Sequence, residues 1–531
     1  MASFEALSPE LVEEILLHTL DSTSHVNHRR LASCSSARLI FRHVTIASPE
    51  YGAKLLETMK EDSALAGFLR TITVKIEAFA KPATFSDLAQ DDLLRLAVKA
   101  TSFDSPIASF APLKDGRKPL ASYPSTLQSC RLGTPFAQTV AGGYGGADTS
   151  DNEDEPVGAS DATRPSKDYM SLLTSLPTTL RQLKLSQLAD NSLPSVPPTS
   201  PLRSCHLTAL LLDFVTVSPL FLEWLAPATL EKLQLWCVRG LSSFDIVQFV
   251  RKQAQLKELM FKPKGHRQGT RLGNELVLYL PVLEHLTLGS GACDHVIYSL
   301  LPSSLTHLCV SLPNHHQNAR LLPIANEITT RLTSLKVFEL YSHLYFPPPV
   351  ELTYPGPEPN ESSGLRELRL SHITATPGEI AAFLSSIGRR LYTLATHHIS
   401  EEPSSLLEYC PSLRRLELGV THFEPPSGTS FFRGLSAPLL NFLRVHFNSG
   451  VPLSQLLDIL PHRAQSGLKT LEFIGIFPDD LPSDWRSGAC IEALVEECKR
   501  SGIEWWVNGR IVESMGDFWR ALVGQTGRET L

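Results

Sequence analysis

Apolar positions along this chain recur in a fixed pattern. The spacing Leu-x-x-Leu-x-Leu, with apolar substitutions, starts at Leu180/Leu183/Leu185 and returns at Leu207/Leu210/Leu212, Leu230/Leu233/Leu235, Leu256/Leu259/Phe261 and Leu283/Leu286/Leu288. It continues through Leu305/Leu308/Val310, Leu335/Phe338/Leu340, Leu365/Leu368/Leu370, Leu391/Leu394/Thr396, Leu413/Leu416/Leu418 and Leu440/Leu443/Val445 to Leu468/Leu471/Phe473. The last two apolar positions of each unit alternate with polar ones, which predicts a strand with one buried face. The segments between them carry helical spacing, as in Phe244, Val247, Phe249 and Val250, or Ile380, Phe383, Leu384 and Ile387. A strand and a helix of this size cannot bury their own apolar sides. Stacked in register they share one core, which predicts an α/β solenoid.

The mean step is about 26 residues, the period of leucine-rich repeats. The 85 leucines among 531 residues follow from it. Weaker matches lie upstream, at Leu69/Ile72/Val74, Leu93/Leu96/Val98 and Leu127/Cys130/Leu132. The expected organisation is an amino-terminal helical module over 1–46, irregular first repeats over 66–140, an acidic Gly/Ser-rich disordered insert over 141–168, the solenoid over 172–477 and a capping segment over 478–531. In the last of these, Ile491, Leu494, Val495 and Cys498 predict an amphipathic helix. Gly502 is its stop, and Ile503–Val507 a final strand. The pentapeptide Gly142–Gly146 lacks GxGxxG spacing, and no strand is predicted before it, so it is read as part of a flexible loop.

The segment 406–418, with Cys410-Pro411-Ser412-Leu413 closing a helix and opening a strand, resembles the cysteine-type repeats of intracellular F-box proteins. Residues 7–20 read as a short helix on their own terms, with Ser8 as N-cap, Pro9 in the first turn and Glu10 at the positive end of the dipole. The same stretch resembles the start of an F-box, at Leu7, Pro9, Glu10, Leu11, Ile15 and Leu16. Leu39–Ile46 resembles the Leu-Phe-Arg-x-Val-x-Leu stretch that leads fungal F-box proteins into their first repeat. The resemblance implies that these six residues contact a Skp-type adaptor of a cullin–RING ubiquitin ligase. It implies further that the chain is the substrate-recognition subunit of an SCF-type ligase, a monomer within a larger complex. The second half of the F-box pattern is short. His25–Ser36 is polar and holds no tryptophan. Two readings of that shortfall stand: a degenerate F-box, or a chain missing part of the segment. A ligase-independent repeat scaffold that binds protein is the alternative function.

Composition narrows the partners. The net charge of −7 disfavours a phosphate backbone as the main ligand. No apolar run reaches membrane-spanning length, and the amino terminus lacks the basic start of a signal peptide, so an intracellular protein, cytoplasmic or nuclear, is expected. Nine cysteines without a CxxC pair read as free thiols in a reducing compartment. No hydrolase, kinase or nucleotide motif occurs, so neither catalysis nor a cofactor is expected. The pairs His315-His316 and His397-His398 read as solvated loop residues rather than metal ligands, because strand neighbours point to opposite faces.

Alternation also picks out the binding face. The residue between the last two apolar positions, and the residue after them, are expected on the concave side. The first of these columns reads Lys184, Leu211, Gln234, Met260, Thr287, Cys309, Glu339, Arg369, Ala395, Glu417, Arg444 and Glu472. Trp236, Tyr341, Arg369, Arg444 and His446 are the candidate contacts for a protein target, since aromatic and arginine side chains anchor interfaces. A competing reading turns Trp236 and Tyr341 sideways onto neighbouring strands.

Overall fold

The computed structural model describes residues 42–46, 49–61, 63–74, 96–105, 124–133, 176–186, 192–193, 201–223, 225, 229–263, 272–289, 292–293, 296–312, 321–342, 364–371, 377–396, 407–419, 439–446, 457, 460, 467–476, 481 and 485–529. The chain divides into two compact units, one of residues 1–140 and 144–256, the other of 257–531 with 141–143.

The first unit holds β1 (His43–Ile46), β2 (Thr71–Val74), β3 (Ser102–Ser105), β4 (Ser129–Gly133), β5 (Gln182–Ser186), β6 (Ser192–Leu193), β7 (Ala209–Asp213), β8 (Thr216–Val217) and β9 (Lys232–Trp236). Strands β1, β2, β3, β4, β5, β7 and β9 form one parallel ladder in that order. β6 and β8 pair beside it. The second unit holds β10 (Glu258–Lys262), β11 (His285–Leu288), β12 (His307–Leu312), β13 (Val337–Ser342), β14 (Glu367–Ser371), β15 (Thr393–Thr396), β16 (Arg415–Gly419), β17 (Phe442–His446), β18 (Thr470–Ile474), β19 (Glu504–Val507) and β20 (Arg510–Ile511). β10 to β19 are parallel, each paired with the next, and β20 turns back antiparallel.

One backbone motif repeats through both units. The carbonyl just before a strand accepts two N–H groups from the next repeat. Lys336 O, for example, takes Arg366 N at 2.9 Å and Glu367 N at 3.0 Å, and Arg366 O takes Tyr392 N and Thr393 N. The first leucine of a unit closes a tight turn, as Leu413 N does on Cys410 O at 3.1 Å. Both contacts fix where a strand begins, so the leucines stack column on column. Leu368, Leu394, Leu416, Leu443 and Leu471 share one register and are all nearly inaccessible. The poorest repeat still seats Thr396, buried, between Leu370 and Leu418.

The helices complete the core. The helix Ser243–Arg251 is capped by Ser242, which forms a capping box with Asp245, and it buries Ile246, Val247, Phe249 and Val250. Phe244, expected on that side, is instead 69% exposed. At about 100° per residue it falls about 160° from Ile246, outside the buried arc. Gly388 shows how closely neighbouring repeats approach. A Cβ there would meet the Tyr409 carbonyl oxygen at 2.6 Å and Cys410 Sγ at 2.9 Å. Burial pushes the Cys410 thiol up to about 12, so it is inert filler.

Two expectations shift. Of the triplet Leu93/Leu96/Val98, Leu93 lies outside the described residues and Leu96 and Val98 lie outside any strand; Val98 is exposed, and the third strand is Ser102–Ser105, with Ala100 and Phe103 at the buried positions. A turn, Ala100 N to Ala97 O at 2.8 Å, moves the start downstream. His43–Ile46, inside the expected 1–46 helical module and in the stretch read as leading into the first repeat, is a strand paired with β2. The cap follows the expected plan and extends it. Helix Gly488–Ser501 ends on Gly502, whose φ of 65° is the left-handed stop. Asn508 and Gly509, both at positive φ, make the tight turn that reverses β19 into β20.

Candidate functional site

The face of each ladder opposite the leucine columns carries the polar residues, and register decides which of them meet. In the second unit the middle column runs Met260, Thr287, Cys309, Glu339, Arg369, Ala395, Glu417, Arg444, Glu472 and Trp506 across successive strands. Arg369 thus lies two strands before Glu417, and Arg444 one strand after it. Ala395 separates Arg369 from Glu417, and its single methyl leaves room for the guanidinium to cross one strand.

An ion-pair lattice results. Arg369 Nε lies 2.7 Å from Glu367 Oε1 and 3.2 Å from Glu339 Oε1, and its Nη1 is 3.5 Å from Glu417 Oε2. Glu417 Oε1 accepts from Arg415 Nε at 2.9 Å and from Arg444 Nη1 at 3.3 Å. Arg444 Nε donates to Glu472 Oε2 at 2.9 Å. Burial alone would raise the Glu417 pKa, but Arg369, Arg444 and Arg415 together hold it below the usual carboxylate value. Burial likewise works against the Arg369 charge, and Glu417, Glu367 and Glu339 more than offset it. The outer layer is aromatic and cationic. Phe442 lies between Arg415, 4.1 Å from its centroid, and Arg444, at 5.5 Å.

Glu367, Arg415 and Phe442 belong to a third column, two residues before the middle one, that the sequence reading did not single out. Strand alternation carried one step further back would have found it. The same column brings His285 and His307 together, ring centroids 4.0 Å apart. Burial first, then the charges of His285 and Lys336, lower the His307 pKa from 6.5 to about 4. As pH falls from about 6.5 to about 4, the unfolded chain gains a proton that the folded chain refuses, so stability falls across that window and is retained above it. The effect is about 1–2 kcal/mol for this partly exposed ring. His307→Asn is expected to flatten the loss of melting temperature between pH 7 and pH 4.5, checked by scanning both proteins at both values.

In the first unit the polar face centres on Asp213, which accepts from Gln234 Nε2 and lies 3.4 Å from Lys184 Nζ. Asp104 pairs with Arg131 at 3.3 Å, yet burial outweighs Arg131 and Lys184 and raises its pKa.

Of the candidate contacts, Arg369 and Arg444 are brought into one lattice. Their side chains are 11% and 23% exposed, so Arg444 offers more surface than Arg369. Trp236 is corrected: at 6% exposure it is a packed residue, not an open anchor. Tyr341 sits on β13 opposite Ser311 and Ser371, and His446 on β17 between Gly419 and Ile474. Leu7, Pro9, Glu10, Leu11, Ile15 and Leu16 lie outside the described residues, as do both histidine pairs and the insert. Among the described residues, no group of three His, Cys, Asp or Glu side chains is placed to hold a metal, and no helix is long and apolar enough to cross a membrane.

No protein-family model matches the sequence, and no curated protein does. Solved structures do match, among them the crystal structure of the Rad7 and Elc1 complex in yeast, at 13% identity over 96% of this chain and 98% of that one, with a TM-score of 0.37. Similarity at that level carries no argument about this chain.

Proposed function

We propose that this chain is the substrate-recognition subunit of an SCF-type ubiquitin ligase. The open face of its second unit holds a protein target, and Leu7, Pro9, Glu10, Leu11, Ile15 and Leu16 tether a Skp-type adaptor. The chain supplies proximity and orientation rather than chemistry. It acts inside the cell, without a cofactor. The observation that supports target binding is the lattice around Arg369, Glu417 and Arg444. Its side chains are fixed by mutual ion pairs before any partner arrives, so little ordering cost remains on binding. The tether rests on the resemblance of residues 7–16 and on the cysteine-type repeat at 406–418.

Purified adaptor is expected to be retained by the full-length chain and lost with Leu11→Asp or Ile15→Asp. Each substitution places a charge where a buried large apolar side chain would contribute roughly 1.5–3 kcal/mol. Retention that ignores both substitutions would sink the tether. Absence of retention at micromolar concentration favours the second reading, a ligase-independent scaffold, to which the short polar stretch His25–Ser36 points.

A further inference from the structure

The residue just before each strand forms a column of its own, set by the paired carbonyl bonds described above. From β12 onward it reads Thr306, Lys336, Arg366, Tyr392, Arg414, Asn441, Lys469 and Ile503. No acidic residue interrupts that run. Lys336, Arg414 and Lys469 are exposed, and none has a carboxylate partner among the described residues. The acidic side chains nearest in the adjoining column are engaged elsewhere. Glu367 is held by Arg369, and Glu504 accepts from the Trp506 indole at 3.3 Å. Arg414 is propped against Tyr392, 5.2 Å from its centroid, with Arg366 at 5.7 Å from the same ring. Among the described residues, Lys336, Arg414 and Lys469 thus make a cationic edge without carboxylate partners on a chain of net charge −7.

We propose that this edge, at Lys336, Arg414 and Lys469, docks an acidic polypeptide segment of the target. The spacing chooses carboxylates over phosphate. Neighbouring strands lie about 4.8 Å apart, so Lys336 and Arg414 are about 14 Å apart and Arg414 and Lys469 about 10 Å. Cations so spread do not converge on one phosphate group. An extended peptide places side chains on one side every ~6.8 Å, and a run of Glu or Asp laid across the strands meets all three through their long flexible stems. Duplex nucleic acid is a poor fit for three cations on an acidic protein.

The inference deepens the recognition reading and rests on it. The test is the anisotropy of a fluorescein-labelled twelve-residue peptide with six Glu among Gly and Ser, titrated with the full-length chain at low salt. Saturable binding is expected, weakened at least tenfold by Lys336→Glu/Arg414→Glu/Lys469→Glu and by 0.5 M NaCl. A charge-matched variant with exposed residues changed elsewhere, Lys99→Glu/Lys252→Glu/Arg510→Glu, is expected to bind as the natural chain does. Equal weakening by both triple variants would reduce the effect to net charge and overturn the site. Equal binding of a Gln-for-Glu peptide, or no binding at 100 µM protein, would overturn the acidic partner. Tighter binding of a phosphoserine peptide of the same net charge would replace carboxylate by phosphate. Both triple variants are expected to keep the circular dichroism spectrum of the natural chain. Retention of adaptor by the Lys336/Arg414/Lys469 variant separates failure of this edge from failure of the ligase reading.

Discussion

Glu417→Ala is expected to destabilise the second unit by about 3–5 kcal/mol, the usual cost of removing one member of a buried charged network. Glu417 sits among three guanidinium groups and is itself 3% exposed. Without it, Arg369 keeps Glu367 and Glu339, while among the described residues Arg415 loses its carboxylate partner and Arg444 keeps Glu472 alone. Because each repeat touches chiefly its neighbours, the loss is local. Amide exchange read by mass spectrometry is expected to rise first in β14 to β17. The double variant Arg369→Met/Glu417→Leu is expected to cost less than the sum of its single changes, since it removes a desolvated pair together. Additive costs, or exchange that rises evenly across the chain, would mean that the lattice does not act as a unit.

The second large effect is at the cap. Phe518 is inaccessible and touches three indoles, with centroids 6.1 Å from Trp485, 5.7 Å from Trp505 and 5.3 Å from Trp519. Trp485 in turn meets Phe473 of β18 edge-on at 5.3 Å. Phe518 is thus the aromatic link between the helix Met515–Glu529 and the ladder, beside the buried Ala521 and Leu522 of the same helix. Phe518→Ala is expected to cost about 3–5 kcal/mol, with tryptophan emission shifted to longer wavelength and first proteolytic cleavage moved to residues 508–515. Unchanged emission with an unchanged denaturation midpoint would show that the cap is held by something other than this cluster.

Much of this arrangement is legible in the residues. The leucine spacing places β5, β7 and β9 to β18, because a column that must stay buried tolerates few side chains. Gly502 marks the end of the last helix before the final parallel strand for the same kind of reason, since its φ of 65° suits a residue without Cβ. Where small or aromatic residues replace leucine, the pattern misleads. Ala100 and Phe103 hide β3 behind the better-matching Leu93/Leu96/Val98. The site is legible in part. Arg369 and Arg444 follow from alternation alone. Their dependence on Glu367 and Glu417, and the reach of Arg369 across Ala395, follow only from how separate repeats align. Trp236 was misleading because alternation gives the face of a strand and not what covers it.

The central claim is that this chain enters a ligase particle as its target-binding part. The direct measurement is light scattering on the full-length chain mixed with purified Skp adaptor and cullin scaffold at micromolar concentration. The account predicts a single species heavier by one 58.5 kDa chain than the adaptor–cullin complex, and its loss with Leu11→Asp. Separate elution of the natural chain would contradict it.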